Sequence, residues 1–255
     1  MIKDKISYFE FQAEIGVTKH IGGVRATDEL MELCHIKKGS YVLEVGCGVG
    51  LTTAYLAKKG CKVVGIDLSE KMIEKAREKA KRKGLEDKIE FLVADAQKLP
   101  FKDNTFDAVI SESVYVFIPD RKKAMKEFNR VIKKGGYVGI TEVSWIKEPP
   151  PELRKQIRDF VQSDIPSTDE WKKLLKDAGL KEIVGRTYKL NMKDEFFDQI
   201  RRWDIVEYLR VLGLFLKGMI QKPSYRRFIM DSLKLSPRLI KYWGWGVYSG
   251  KKRIK

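Results

Sequence analysis

A glycine loop between two short apolar runs is the part of this 255-residue sequence best suited to binding a small molecule. The loop, GCGVG at residues 46–50, follows Glu44, and Asp67 ends the apolar run that comes next. Asp95 ends a third run further along the chain. Glycines allow a tight turn and a close approach of backbone to ligand, and a carboxylate about 20 residues on can accept both hydroxyls of a ribose. The pattern therefore predicts a nucleoside-containing ligand.

Three features separate the possible nucleoside ligands. The loop has the spacing GxGxG rather than the dinucleotide spacing GxGxxG, because Leu51 occupies the last glycine position. Glu44 suits the cationic amino group of an amino-acid-like ligand and is unfavourable beside a pyrophosphate. Asp95 stands where it could meet an adenine amino group. Together these features favour S-adenosylmethionine (SAM) over a dinucleotide.

Alternating strand and helix patterns surround the loop. The predicted strands are 41–45, 62–67, 89–95, 106–113, 137–145, 181–190 and 244–252. Ser69 is expected to cap one of the intervening helices, and Ser167 or Thr168 another. Such alternation with short links predicts parallel strands joined by right-handed helical crossovers, with ligands bound beyond the carboxyl ends of the strands.

The stretch from about residue 20 to 145 resembles the class I SAM-dependent methyltransferases, especially the branch that includes quinone, sterol and phosphoethanolamine methyltransferases. VLEVGCGVG matches the glycine motif of that family, VVGIDLSEKMI its ribose motif, and VADAQKLPFKDNTFDAVIS its adenine motif with the strand that follows. The resemblance implies a Rossmann-like, doubly wound α/β fold with a mostly parallel seven-stranded sheet and an antiparallel last strand. It also implies SAM as cofactor and S-adenosylhomocysteine as product.

The expected cofactor site combines the glycine loop with residues that follow the next strands. Its members are Glu44, Gly46, Cys47, Gly48, Gly50, Asp67, Leu68, Met72, Asp95, Ala96 and Ser111. The resemblance places Glu44 and the glycines on the methionine part, Asp67 on the ribose, and Leu68 and Met72 against the adenosine.

We interpret residues 1–255 as one methyltransferase domain. Residues 1–39 form an N-terminal lid or helix and residues 40–145 the SAM-binding core. Residues 146–166 and 191–240 are helical cap insertions, and residues 241–255 carry the last strand. Because both insertions follow late strands, we expect the cap to lie over the pocket and to set substrate choice.

Candidate groups on the acceptor side are polar or aromatic residues near the ends of the fourth and fifth strands, together with a histidine before the first. His20, Glu112 and Glu142 are candidates for a general base or a charged binding group. The expected substrate pocket contains Tyr115, Trp145, Trp203 and Tyr208. The alternatives are ordinary polar strand ends for the two glutamates, a surface or capping role for His20, and a core of its own for the aromatic cap.

Positive charge concentrates near the end of the chain. The formal net charge is +16, and residues 193–255 hold 15 Lys and Arg against 6 Asp and Glu. Such a segment fits an anionic substrate, a membrane surface, nucleic acid, or simply a well-solvated face. The expected partner is a small-molecule or lipid-like acceptor, with peripheral membrane contact through the basic cap as a further possibility.

Other classes of function are less favoured. Base-amino methylation uses an (N/D)PP(Y/F) stretch where this chain has SESV, and no cysteine follows Cys61 to support cytosine methylation. Nucleic acid is therefore an unfavoured partner, although an RNA methyltransferase and a non-catalytic SAM-binding regulator stay open as alternatives. Three cysteines without metal or disulfide spacing and no signal-peptide pattern predict a cytoplasmic protein without a metal site. The surplus of Lys, Glu and Arg is typical of thermophile-like proteins.

Overall fold

The computed structural model describes residues 20–190 and 205–254. A seven-stranded sheet forms the centre of this part of the chain. Its strands are β1 Tyr41–Val45, β2 Lys62–Asp67, β3 Ile89–Val93, β4 Phe106–Glu112, β5 Ile132–Trp145, β6 Lys181–Lys189 and β7 Trp243–Lys251. The order across the sheet is β3-β2-β1-β4-β5-β7-β6.

Strand direction follows the predicted pattern. Strands β1 to β5 pair in parallel with one another, whereas β7 is antiparallel to both of its neighbours, β5 and β6. The expectation of a mostly parallel, doubly wound sheet with an antiparallel last strand is confirmed. The chain order reverses between β1 and β4, and ligands of open parallel sheets bind beside such a switch point.

Helices cover both faces of the sheet. They are α1 Gly23–Leu33, α2 Leu51–Lys58, α3 Glu70–Arg82, α4 Arg121–Val131, α5 Pro151–Val161, α6 Thr168–Asp177, α7 Ile205–Gln221 and α8 Pro223–Leu239. Leu30 and Ile73 belong to the hydrophobic core on one face, and Phe128 and Trp171 to the core on the other. The strands between the two layers are continuous apolar runs because both of their faces are buried.

Helix capping follows the sequence signals. The Ser69 hydroxyl accepts a hydrogen bond from the Met72 amide and begins α3. Ser167 begins α6 with a reciprocal capping box, in which the Ser167 amide donates to the Glu170 carboxylate. Both predicted caps are confirmed.

Two helical segments stand outside the alternating pattern. Helix α5 follows β5, and the hairpin formed by α7 and α8 lies between β6 and β7. Phe160 of α5 stacks on Phe228 of α8 with ring centroids 5.6 Å apart. Both segments fall within the ranges expected for the cap. Across the described ranges, no helix is both long and apolar enough to cross a bilayer.

Candidate active site

A cavity of about 520 Å³ opens at the carboxyl edge of the sheet. Its lining comes from the ends of β1, β2 and β4, from the loop after β3 and from the glycine loop. This volume is in the usual range for small-molecule and cofactor sites. The cavity therefore lies where the strand order and the motifs together predicted a ligand.

The glycine loop is held against the end of β2. The amides of Gly46 and Cys47 both donate to the Ile66 carbonyl, at 2.8 and 2.9 Å. Gly46 has φ +75°, and a Cβ there would lie 2.5 Å from the side chain of Val114 in the turn after β4. Only glycine satisfies both the left-handed backbone and this close approach.

Glu44 is a buried carboxyl group at the floor of the cavity. Its carboxylate accepts a hydrogen bond from the Thr53 hydroxyl of α2. Burial raises the pKa of Glu44 to about 8, the charges of Glu112 and Asp67 add in the same direction, and the Thr53 hydrogen bond opposes them. A cation bound beside Glu44 would favour its ionised form.

Asp67 ends β2 with its carboxylate tied to the backbone. It accepts from the amides of Gly48 and Ser69, both at 2.9 Å. Each oxygen keeps further lone pairs, so the carboxylate can also accept hydroxyl donors from a ligand. Burial raises the pKa of Asp67, and its backbone hydrogen bonds oppose that shift.

The adenine-side residues form a more open part of the cavity. Leu68 is 75% exposed although it is a large apolar side chain, and Met72 beside it is buried. Asp95 accepts from the amide of Gln97 at 2.8 Å, and both residues line the cavity. An exposed leucine next to hydrogen-bonding groups suits the flat apolar face and polar edge of an adenine.

Glu112 and His20 lie together at the opposite end of the cavity. Glu112 accepts from the hydroxyls of Thr52, at 2.7 Å, and Thr27, at 3.1 Å. The Nδ1 atom of His20 is 3.4 Å from Oε1 of Glu112, and both side chains are more than nine-tenths buried. The Ser113 hydroxyl accepts from the amide of Ile21 and fixes the segment next to His20.

The charged groups that line the cavity distinguish between a dinucleotide and SAM as its ligand. Four acidic side chains, from Glu44, Asp67, Asp95 and Glu112, line it, and no Lys or Arg does among the described residues. Such a lining repels a pyrophosphate and attracts the sulfonium and ammonium groups of SAM. The residues present fit SAM.

Most of the expected cofactor residues meet in this cavity. Those that line it are Glu44, Gly46, Cys47, Gly48, Asp67, Leu68, Met72, Asp95 and Ala96. Gly50 instead begins α2 in the left-handed conformation. Ser111 is fully buried in β4, and because side chains alternate along a strand it faces away from Glu112.

Two expected acceptor-side residues lie in the hydrophobic core. Tyr115 is fully buried, donates its hydroxyl to the Arg121 carbonyl and packs edge-on against Phe128 at 5.3 Å. Trp145 is also buried, next to Trp243 in the sheet register. Neither side chain lines the cavity, so their positions do not support the expected contact with substrate.

Glu142 lies behind the cavity wall. Its carboxylate accepts from the amides of Val114 and Tyr115, at 2.9 and 2.5 Å, and so fixes the turn after β4. Burial raises the pKa of Glu142 to about 8, and its backbone hydrogen bonds and Arg121 oppose that shift. Its side chain does not line the cavity. Trp203 and the side chain of Tyr208 lie outside the described residues.

Several lining or supporting residues were not singled out from the sequence. They are Thr27, Thr52, Thr53, Gln97, Ser113, Val114 and Phe117. Two consecutive threonines in the first turn of α2, Thr52 and Thr53, were a usable signal in the sequence, because their hydroxyls donate to the carboxylates of Glu112 and Glu44. Thr27 gave no signal, since it meets Glu112 across 85 residues of sequence.

A second cavity of about 430 Å³ opens at the amino edge of the same sheet. Its lining includes Lys37, Lys38, Lys133 and Lys134, with Asp107 as its carboxylate. Lys133 donates to Asp107 at 2.7 Å. None of the residues expected to bind the cofactor lines this second cavity.

Comparisons with known proteins identify a methyltransferase domain in this chain. A family model described as a methyltransferase domain matches residues 43–140. An uncharacterised protein of Haemophilus influenzae is 33% identical over 78% of this chain and 82% of its own length. The sterol 24-C-methyltransferase ERG6 of Saccharomyces cerevisiae is 31% identical over 79% of this chain.

A solved structure is similar in fold. Phosphoethanolamine N-methyltransferase 2 of Haemonchus contortus, in complex with phosphomonomethylethanolamine and S-adenosylhomocysteine, has a TM-score of 0.73 at 21% identity. That alignment covers 96% of this chain. This chain spans just over half of the yeast and nematode proteins, 56% and 57% of their lengths.

Proposed function

This chain belongs to the class I SAM-dependent methyltransferases, and from that premise we propose that it methylates a small molecule. The methyl group passes by in-line displacement to a small-molecule or lipid-like acceptor placed beside His20 and Glu112. The observation that carries the proposal is one cavity joining the nucleoside-binding loop to this buried pair.

SAM supplies, when bound, an electrophilic methyl carbon on a positively charged sulfur. In this chain Asp67 would accept the ribose hydroxyls, Leu68 and Met72 would cover the adenine, and Glu44 would face the ammonium group. All four line the cavity. Their role is to position the cofactor and exclude water, which for well-aligned reactants is worth about 7–11 kcal/mol.

His20 is the proposed general base. Glu112 lies 3.4 Å from its Nδ1 atom and is itself fixed by two threonine hydroxyls. A carboxylate in this position orients the ring and stabilises the imidazolium that forms when the acceptor loses its proton. Glu112 thus acts on the acceptor through His20, and its negative charge also complements a cationic cofactor.

The helical segments are proposed to set acceptor choice. Helix α5 and the hairpin of α7 and α8 follow strands whose adjoining ends lie at the carboxyl edge, and they contact each other through Phe160 and Phe228. The relatives named for phosphoethanolamine and sterol differ widely in acceptor size, which fits a common core with a variable cover. We therefore expect the acceptor to contact these helical segments, which lie outside the cofactor-binding motifs.

The proposal is tested with methyl-labelled SAM and a cell extract that supplies acceptors. Label is followed into organic-soluble, small aqueous, RNA and protein fractions. We expect it in one of the first two, with a rate at least roughly a hundredfold lower for His20→Ala at unchanged SAM affinity. Label in RNA or protein would overturn the small-molecule acceptor, and no transfer to any fraction would favour a SAM-binding regulator.

The matched control is the second histidine. His35 follows α1 at the amino edge of the sheet, where its ring is tilted against that of Tyr137 with centroids 4.8 Å apart. His35→Ala should methylate at the wild-type rate, and added imidazole should partly restore His20→Ala. If His20→Ala methylated at the wild-type rate, the assignment of His20 as general base would be wrong, while the methyltransferase activity itself would stand.

A further inference from the structure

Helix α7 exposes a stripe of large apolar side chains. Its members, with their exposed fractions, are Leu209 at 59%, Leu212 at 38%, Leu216 at 50% and Ile220 at 78%. Their spacing of three, four and four residues places them on one face of the helix. Isolated exposed leucines are common on proteins, whereas a continuous stripe marks a surface that binds something apolar.

The stripe is separate from the face that holds the hairpin together. Val211 is buried, and Phe215 and Met219 pack with it against Tyr225 of α8. Gly218 allows this contact, since a Cβ there would overlap the Tyr225 ring. The hairpin therefore has its own apolar contact on one side, and the stripe is a second apolar face of α7.

Exposed cationic side chains lie beside the stripe on α7 and on the neighbouring helix α8. Arg210, Lys217 and Arg227 are exposed, and the guanidinium of Arg226 caps the end of α7 through the carbonyls of Met219 and Ile220. Asp231 is the one acidic residue among the described side chains of 209–231, and it is half-buried. The stripe is apolar, and the exposed charged side chains described around it in the hairpin are positive.

The apolar stripe and the positive charges near it together indicate which partner binds this face, a second copy of the chain or a membrane. A second copy of the same face would bring like charges together across the interface, which is unfavourable. An apolar helix face with Lys and Arg at its borders is typical of helices that lie in the surface of a negatively charged bilayer. A bilayer of anionic phospholipid satisfies both parts of the surface at once.

We propose that the exposed face of α7 docks this protein on the surface of a membrane that contains anionic phospholipid. The leucine stripe enters the boundary between headgroups and acyl chains, and Arg210, Lys217 and Arg227 contact lipid phosphates. The contact is peripheral and reversible. It depends on the hairpin alone and not on the identity of the methyl acceptor.

The test uses the full chain and sedimented vesicles of phosphatidylcholine, with and without about 30% phosphatidylglycerol. We expect at least roughly tenfold stronger partitioning to the anionic vesicles, falling steeply as salt rises. Leu216→Glu should lower that partitioning about tenfold, and Arg210→Gln with Lys217→Gln should lower it severalfold. Wild-type SAM affinity in each variant shows that the fold is kept.

Ile254→Glu is the matched control, because Ile254 is 67% exposed and adjoins basic residues in the sequence, but it lies outside the hairpin. It should partition as the wild type does. Equal partitioning of wild type and Leu216→Glu would overturn the proposal, as would equal partitioning to neutral and anionic vesicles. A wild-type dimer in sedimentation that Leu216→Glu converts to monomer would assign the stripe to self-association and also overturn it.

Discussion

The cavities at the two edges of the sheet are built from similar turns but carry opposite charge. Four acidic side chains line the carboxyl-edge cavity, whereas four lysines and a single acidic side chain line the amino-edge cavity, among the described residues. Both contain glycines with positive φ, such as Gly46 and Gly39. Glycine turns therefore do not by themselves identify a cofactor site.

Strand direction and charge together separate the two cavities. Polar residues that end parallel strands, such as Asp67 and Glu112, collect at the carboxyl edge, where the chain order reverses. At the amino edge the lysines lie near the starts of strands, and Asp107 is already bonded to Lys133 and to the Tyr41 amide. A cationic cofactor is attracted to the first edge and repelled from the second.

The largest expected effect is on the ribose carboxylate. Asp67→Ala removes the group assigned to both ribose hydroxyls and should weaken SAM binding at least a hundredfold, about 3 kcal/mol. Calorimetric titration measures it. Asp107→Ala is the control at the other edge and should keep wild-type affinity. Equal losses in both variants would mean that the change in affinity comes from general destabilisation.

The next largest effect is expected from Gly46 at the carboxyl edge, compared with Gly39 at the amino edge. Gly46→Ala places a Cβ against Val114 and must displace the turn that lines the cavity, so SAM affinity should fall roughly thirtyfold, about 2 kcal/mol. Gly39 has φ +87°, and a Cβ added there would have no neighbouring atom within 4 Å. Gly39→Ala should cost about 1–2 kcal/mol of stability and leave affinity unchanged. A similar loss of affinity in both would contradict the assigned role of the Val114 contact.

A smaller effect is expected from the buried carboxyl of Glu44. Its pKa of about 8 in the folded protein lies above the ordinary value of about 4.3, so the folded chain holds a proton there that the unfolded chain loses. This contribution to stability falls as pH rises between those values. A bound cation lowers the pKa of Glu44, so SAM binding should release a proton, and affinity should rise up to about tenfold per pH unit over roughly pH 6 to 7.5.

Calorimetry in buffers of different ionisation enthalpy counts the released proton. Glu44→Gln should abolish most of that release. Glu142→Gln is the matched control, because the pKa of Glu142 is also raised by burial to about 8 but its side chain lies behind the cavity wall. Unchanged proton release in Glu44→Gln would show that Glu44 does not face the cofactor.

The smallest expected effect concerns the lysines of the amino edge. Replacing Lys37 and Lys134 together by glutamine should change SAM affinity less than about twofold, since these residues line the other cavity. The same titration measures it. A change in SAM affinity of roughly tenfold or more would mean that the amino-edge lysines also contribute to SAM binding. It would contradict the assignment of the cofactor to the carboxyl edge alone.

The sequence predicted the strands and the cofactor loop because local spacing determines both. The parallel core, the cap at Ser69 and the acidic residues near the carboxyl ends of β1, β2 and β3 can all be predicted from short local sequence patterns. The directions in which the side chains of Ser111, Tyr115 and Glu142 point could not be predicted from the sequence. It depends on the turn after β4, where Ser113 has φ +56° and redirects the chain.

Contacts over long sequence separations also escaped prediction. Thr27 reaches Glu112 from a helix 85 residues earlier, so no local pattern could pair them. Strand β5 begins at Ile132 and not at 137, because it continues through the KKGG turn, where Gly135 donates to the Lys252 carbonyl. These features come from tertiary packing of the sheet.

A crystal structure of the chain with S-adenosylhomocysteine bound tests the central claim most directly. We expect the ligand in the carboxyl-edge cavity, with its ribose hydroxyls within hydrogen-bond distance of Asp67, its adenine against Leu68 and its ammonium facing Glu44. A ligand bound at the amino edge, or a ribose out of reach of Asp67, would contradict the account.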